Sequence, residues 1–299
     1  MCGLVGFLDF TGSEASSQSV LDSMVGTLLH RGPDDNNIYY EDKGDKEYCL
    51  GLGHTRLSII DLSVNAGQPM HLGDELVMVF NGEIYNYIEL RNELKSYGYV
   101  FSTSSDTEVI LYAYKHWGTS CFNFFNGMWA IAIWDKQKEK LVLSRDRFGK
   151  KPLYYYHKDG LIIFASELKA LFKHPAVPKI ENEEKISRYL AYNYRYIDID
   201  NDSFFKNIYH VPKSSFFEIS SKNELLVNQY WALDTESEKE QIDDHEAKNK
   251  FKDLLIDAVS LRLRSDVPVG CLLSGGLDSS SIAVIASRVL GKPIEFYSG

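Results

Sequence analysis

A chain of 299 residues with 44% hydrophobic and 25% charged side chains has room for about two domains and an ordinary globular balance, which excludes a disordered, collagenous or repeat-built protein. Its 42 Asp and Glu outnumber its 32 Lys and Arg, for a net charge of -10, the wrong sign for a broad nucleic-acid-binding face. The longest nearly continuous apolar run, Met128 to Trp134, falls far short of the roughly 20 residues that span a bilayer. Neither nucleic acid nor membrane is therefore an expected partner. Cys2 and the early Asp9 spoil a secretory leader, and Cys2, Cys49, Cys121 and Cys271 form no CxxC pair, which speaks against a zinc site or disulfide framework and for the cytoplasm.

From Leu4 to about Ile219, short apolar runs such as Glu75–Phe80, Trp129–Trp134, Leu141–Leu143 and Leu161–Ala165 alternate with polar or glycine turns, predicting antiparallel sheet. Two helices interrupt it, Tyr87–Tyr97 before Gly98 and Thr107–Trp117 before Gly118, so the first domain is α+β. The stretch Asp234–Lys250 is almost without large apolar residues and reads as a linker or an exposed helix start. Beyond it the pattern turns to α/β: a helix over Phe251–Leu263, a strand over Val267–Leu273, a glycine-rich loop, a helix over Asp278–Leu290 and a last strand over Pro293–Tyr297. The expected domains are thus 2–220, a junction over 221–250, and 251–299, the last being too small to close a core easily and read as truncated.

Cys2 follows the initiator Met, whose removal would put a thiol and a free α-amine on one residue. Their ordinary pKa values, about 8.5 and about 7.7 to 8.0, let the amine take the thiol proton near neutral pH without His or Asp. Taken alone, a Cys at position 2 is more often incidental.

The neighbours decide otherwise. Cys2-Gly3-Leu4-Val5-Gly6, Arg31-Gly32-Pro33-Asp34, Gly53-His54-Thr55-Arg56-Leu57-Ser58-Ile59, Asn81-Gly82-Glu83-Ile84-Tyr85-Asn86 and Ser105-Asp106-Thr107-Glu108 resemble the glutamine-hydrolysing asparagine synthetases. That resemblance implies an N-terminal-nucleophile αββα sandwich of antiparallel sheets, followed by the start of an α/β ATP-pyrophosphatase domain. It implies Cys2 as nucleophile and Asn81 with Gly82 as oxyanion hole, where preset donors are each worth about 3 kcal/mol. Read without it, Asn81-Gly82 is a common turn signal. The implied glutamine-binding set is Arg56, Leu57, Ser58, Ile59, Ile60, Asn81, Gly82, Glu83 and Asp106. Within it Asp106 meets the substrate's α-amino group and Arg56 its α-carboxylate, a fork that Lys would match poorly. From spacing alone, Asp106 is a helix cap with Ser105 and Glu108, and Arg56 a surface ion pair. Arg31-Gly32-Pro33-Asp34 is expected to pack beside the nucleophile, and Ser144 to Tyr155 to organise a hairpin, neither with a catalytic role.

Ser274-Gly275-Gly276-Leu277-Asp278-Ser279 joins a strand to a helix, a natural anion site. With no Lys it is not a Walker loop. It resembles the pyrophosphate loop of the N-type ATP pyrophosphatases, which implies pyrophosphate on Ser274, Gly275, Gly276 and Ser279, with Leu277 in the loop. Leu273 then lies near adenine and Asp278 on Mg²⁺. ATP and Mg²⁺ would serve the complete synthetase, whereas glutamine hydrolysis needs no cofactor.

At Val211-Pro212-Lys213-Ser214 the family's Pro-Gly turn lacks its glycine, so a different hairpin is expected there. The reading is then an amidotransferase that releases ammonia from glutamine and, when complete, adenylates a carboxylate, aspartate first. A sugar acid is the alternative acceptor, and a silent regulatory module the alternative class. The resemblance allows a homodimer. The 299-residue chain is expected to hydrolyse glutamine without making asparagine.

Overall fold

The computed structural model describes all residues except 43, 45–47, 194–199, 221–224, 236–241, 292–293 and 299. Two compact units emerge: Met1–Ser58 with Ser63–Ala232, and Ile59–Leu62 with Leu233–Gly299. Of the expected junction 221–250, residues 221–224 and 236–241 lie outside the described ones.

Twelve strands of the first unit are described: β1 (Gly3–Asp9), β2 (Asp35–Asp42), β3 (Cys49–Arg56), β4 (Met70–Leu72), β5 (Leu76–Ile84), β6 (Gly127–Asp135), β7 (Lys140–Arg145), β8 (Tyr154–Lys158), β9 (Leu161–Ala165), β10 (Ile208–His210), β11 (Ser215–Ser220) and β12 (Leu225–Gln229). They form two antiparallel six-stranded sheets, ordered β10-β8-β9-β1-β3-β2 and β12-β11-β7-β6-β5-β4. The helices of this unit are α1 (Gln18–Gly26), α2 (Tyr87–Ser96), α3 (Asp106–Trp117), α4 (Leu168–Leu171) and α5 (Glu183–Tyr192). Only α2 and α3 are legible in the sequence. α1 and α4 are too short to repeat an apolar stripe, and α5 buries little beyond Lys185.

Strand periodicity explains the layering. Val77 and Val79 of β5 and Ala130, Ala132 and Trp134 of β6 pack with Leu4, Leu8, Leu50 and Leu52 of the other sheet. Their neighbours Met78, Phe80, Ile131 and Ile133 turn the opposite way onto Leu90, Leu94, Ile110 and Tyr114 of α2 and α3. Val5 and Phe7 of β1 face Leu21, Met24 and Leu171 of α1 and α4. Each central strand therefore carries two apolar faces, and the order is helices, sheet, sheet, helices, as expected for αββα.

The departure at Ser214 is settled locally. Ser214 itself takes the left-handed conformation, φ 58°. Its N–H donates to Asp146 O and its Oγ to Arg147 O, each at 3.0 Å, bonds that offset the roughly 1 kcal/mol cost of that conformation for a residue with a Cβ.

In the second unit, α6 (Asp244–Arg262) begins earlier than its apolar residues suggest, because the Asp243 carboxylate caps it, accepting from His245 N and Glu246 N at 2.8 Å. The two strands β13 (Gly270–Leu272) and β14 (Glu295–Tyr297) pair in parallel around α7 (Leu277–Val284), a βαβ unit. The expected strand 267–273 shortens to three residues with one partner, and the expected helix 278–290 ends in a π-helical turn over Ile285–Val289. Pro293 lies outside the described residues.

Candidate active site

The amino-terminal residues are held at one end of β1. Leu57 N donates to Cys2 Sγ at 3.3 Å, and Sγ faces Leu57 O at 3.6 Å. Arg31 Nε donates to Cys2 O at 2.8 Å while its Nη1 pairs with Glu167 Oε1 at 2.8 Å. Burial opposes the charge on Glu167, but bonds from Arg31, Lys169 and His30 outweigh it and hold the carboxyl down at about 2. Asp34 Oδ2 accepts from Ser58 N at 2.8 Å. Arg31-Gly32-Pro33-Asp34 thus does more than pack: it fixes the main chain on both sides of the thiol. Burial pushes the Cys2 thiol up, against the Leu57 N–H, and burial lowers the Met1 α-amine.

A histidine ties this end to the other sheet. His54 lies opposite Leu4 in the β1–β3 register, and its Nε2 meets Phe80 O at 3.0 Å. Burial drops its pKa to about 3, so the ring is neutral and Nε2 is the donor. β4 pairs β5 only as far as Met78. Beyond it the free edge of β5 is covered by side chains: Phe80 N donates to Gln68 Oε1 at 2.6 Å and Ile84 N to Asp106 Oδ2 at 2.9 Å. Strand alternation points the N–H of Gly82, midway between them, to the same edge, and no described side chain receives it. Next to it, Asn81 Nδ2 is buried with no partner. A Cβ on Gly82 would sit 2.1 Å from Met128 O, so only glycine fits there. The buried, unpartnered Asn81 amide and the adjacent edge-facing Gly82 N–H are two donors that suit a developing oxyanion.

Beside them stand two carboxylates. Glu83 is raised by burial and then by Asp106, with Lys151 acting against the shift. Asp106 is raised by burial, against bonds from Ile84 N, Thr107 N and its own N–H and the charge of Arg91. Asp106 is not the cap that its spacing suggests. Ser105 caps α3, its Oγ accepting from Glu108 N at 3.2 Å, and Glu108 turns back to Ser102 and Thr103. The Asp106 carboxylate is therefore aimed at β5. Such a pair, disfavoured in the charged form, gains most from an incoming cation. Arg56 is 6% exposed, with Nη1 donating to Ser63 O at 2.9 Å, so it is not a surface ion pair. Leu57 and Ser58 flank Cys2 as described, whereas Ile59 and Ile60 belong to the second unit, where Ile59 O accepts from Asp266 N at 3.0 Å. Arg31, His54 and Lys151 were not singled out as site residues by the sequence. Lys151 lies within the run Ser144–Tyr155, but nothing local there signals its burial.

In the second unit, Gly275 has φ 77°, and Gly276 precedes α7 without a side-chain cap. Ser274 and Ser279 Oγ lie 3.2 Å apart, with Ser279 Oγ donating to Gly276 O, and Leu273 N donates to Tyr297 O at 2.7 Å. Leu277 opens α7 and Asp278 lies in its first turn. The uncapped N–H groups and hydroxyls suit an anion.

Comparison with known proteins decides the family. Residues 1–231 match the family model described as "Glutamine amidotransferase domain", and residues 250–299 that described as "Asparagine synthase". The chain belongs to the glutamine amidotransferase domain family. Relatives include two Bacillus subtilis (strain 168) proteins, asparagine synthetase [glutamine-hydrolyzing] 3, 35% identical over 100% of this chain and 48% of its own length, and asparagine synthetase [glutamine-hydrolyzing] 2, 37% identical over 96% and 39%. The chain thus spans about half or less of the length of these curated relatives. Among solved structures, the glutamine phosphoribosylpyrophosphate amidotransferase from B. subtilis complexed with ADP and GMP superposes with a TM-score of 0.56 at 18% identity, covering 99% of this chain and 65% of that one. This likeness bears on the fold: the amidotransferase unit has the N-terminal-nucleophile architecture. No described helix is long and apolar enough to cross a membrane.

Proposed function

We propose that the amidotransferase unit hydrolyses glutamine to glutamate and ammonia with Cys2 as nucleophile. The observation that carries this reading is the buried, unpartnered Asn81 Nδ2 beside the edge-facing Gly82 N–H, on the strand that His54 ties to the one following Cys2. Removal of Met1 leaves an α-amine on Cys2, which takes the thiol proton. The thiolate adds to the carboxamide carbon, and the carbonyl electron pair moves onto oxygen, where Asn81 and Gly82 receive it. Collapse expels ammonia, which takes the proton held by the amine, and leaves a thioester. Water then adds, its proton passing to the amine and on to the departing thiol, releasing glutamate. Arg56 takes the substrate α-carboxylate, Glu83 and Asp106 its ammonium, and Leu57 and Ser58 line the entrance. Glutamate production that survives Cys2→Ala would overturn this reading, and its absence from the wild-type chain with Met1 removed would favour a silent module.

The second unit, taken as residues 251–299 after a junction over 221–250, is the start of a carboxylate-activating domain. Ser274, Gly275, Gly276, Leu277 and Ser279 would receive the pyrophosphate of ATP, with Leu273 near adenine. Asp278 would hold Mg²⁺, which would supply charge neutralisation for the bound phosphates. Aspartate is the favoured acceptor because the relatives named above are asparagine synthetases. The cytoplasm is the favoured location, and a homodimer is compatible with the reading. AMP formation from ATP, glutamine and a panel of carboxylates, including a sugar acid, distinguishes the acceptors.

A further inference from the structure

Lys151 has no task in the hydrolysis as described, yet it is only 6% exposed, a depth at which lysine is almost never found unless paired. Among the described residues its ammonium makes no hydrogen bond and no ion pair. Its main chain is clamped. Asp146 Oδ2 accepts from both Lys151 N at 3.0 Å and Trp129 N at 3.1 Å, Asp146 Oδ1 accepts from Phe148 N and Lys150 N, and Arg145 Nε donates to Lys151 O at 2.9 Å. Trp129 lies opposite Gly82, and Met128 opposite Glu83, in the β5–β6 register. One carboxylate therefore ties Lys151 to the strand pair that carries the Asn81 and Gly82 donors. Burial lowers its pKa. Of the charges around it, Glu83 and Cys2 favour the ammonium most, Arg31 opposes it, and Asp146 favours it. In return Lys151 lowers Glu83, the Cys2 thiol and the α-amine, where Arg31 and Asp34 also act.

We propose that Lys151 is a positioning residue of the amidotransferase site: its ammonium, which makes no hydrogen bond or ion pair among the described residues, favours the charged form of Glu83 toward the substrate's ammonium, against burial and Asp106, and stabilises the Cys2 thiolate that attacks. The claim about substrate rests on the glutaminase reading, whereas the claim about the thiolate does not. Its test is accordingly alkylation of Cys2 by iodoacetamide across pH 6 to 10, with Met1 removed, followed by peptide mass spectrometry. In this reaction the thiolate forms a C–S bond and expels iodide, with no need for turnover. Lys151→Met and Lys151→Gln are expected to move the alkylation profile to higher pH and slow it at pH 7 roughly three- to tenfold, as loss of one interacting charge in a partly buried site implies. Lys151→Arg should stay within about twofold of wild type, and thermal melts identify any variant that does not fold. Glutamine KM should rise in the Met and Gln variants, with the acid limb of kcat/KM moved to higher pH. Superimposable alkylation profiles for wild type and either neutral variant, or an Arg variant as slow as these, would overturn the proposal. Shifted alkylation in a chain that never hydrolyses glutamine would sustain it while sinking the glutaminase reading.

Discussion

The two units use burial differently. In the amidotransferase unit both sheets are covered on both faces, and Phe122, Phe125, Trp129 and Trp134 are fully buried. Among the described residues of the second unit, the only buried apolar side chains are Ile60, Val259, Ala283 and Ala286, while Phe251, Leu254, Leu272 and Leu277 are more than 60% exposed. The difference teaches what each chemistry needs. Raising a carboxylate pair and orphaning an amide donor requires a low-dielectric interior built from many segments. A loop suited to an anion requires only a strand end, a glycine turn and a helix start, which a short βαβ unit supplies.

Substitutions can break this contrast, beginning with the largest effect. Cys2→Ala should lower glutamine hydrolysis by roughly 10³-fold or more, as should retention of Met1, whereas Ser274→Ala in the second unit should leave it unchanged. Measured glutamate release checks all three. Asn81→Ala should lower kcat by about 10²- to 10³-fold with a smaller change in KM, the signature of a donor used in the transition state. An equal loss in KM alone would place Asn81 on the ground-state substrate instead.

Asp106→Asn sharpens the comparison further. Because Ser105 caps α3, the variant should keep its melting temperature while KM for glutamine rises about tenfold or more. A fall in stability with unchanged KM would make the carboxylate a structural anchor for Ile84. Glu83 supplies the pH dependence. Burial and Asp106 raise its folded pKa above the unfolded value of about 4.3, so the folded unit binds the extra proton. Its contribution to stability is then present at low pH and is lost as pH rises from the unfolded value through the raised folded one. Glu83→Gln should therefore gain stability over wild type with rising pH, read as the difference in thermal midpoint between pH 4 and 9. A constant difference would show that Glu83 is not raised.

The smallest effect concerns packing in the second unit. Phe251→Ser, at a position 67% exposed, should change stability by no more than about 0.5 kcal/mol. Phe122→Ala, in the core between α3 and its sheet, should cost about 3 to 5 kcal/mol. Urea unfolding followed by tryptophan fluorescence compares them.

Much of this protein is written locally. The alternation in Leu76–Phe80 and Trp129–Trp134 determines strands with two buried faces, because a pleated strand turns successive side chains to opposite sides. Gly98 and Gly118 mark the ends of α2 and α3, and the turn Ser274–Gly276 before Leu277 marks a helix start without a side-chain cap, of a kind suited to an anion. Cys2, Arg56, Asn81-Gly82 and Asp106 were legible as candidates only through the family resemblance, because each alone reads as an incidental thiol, a surface ion pair, a turn or a helix cap. The tertiary structure decided the rest. It made Ser105 the cap and turned Asp106 toward β5, joined Arg31 to Glu167 across 136 residues, set neutral His54 against Phe80, and buried Lys151 beside Glu83 and Cys2. None of these is local, because the charge state of a side chain and the pairing of a buried polar atom depend on which distant segments exclude water from it.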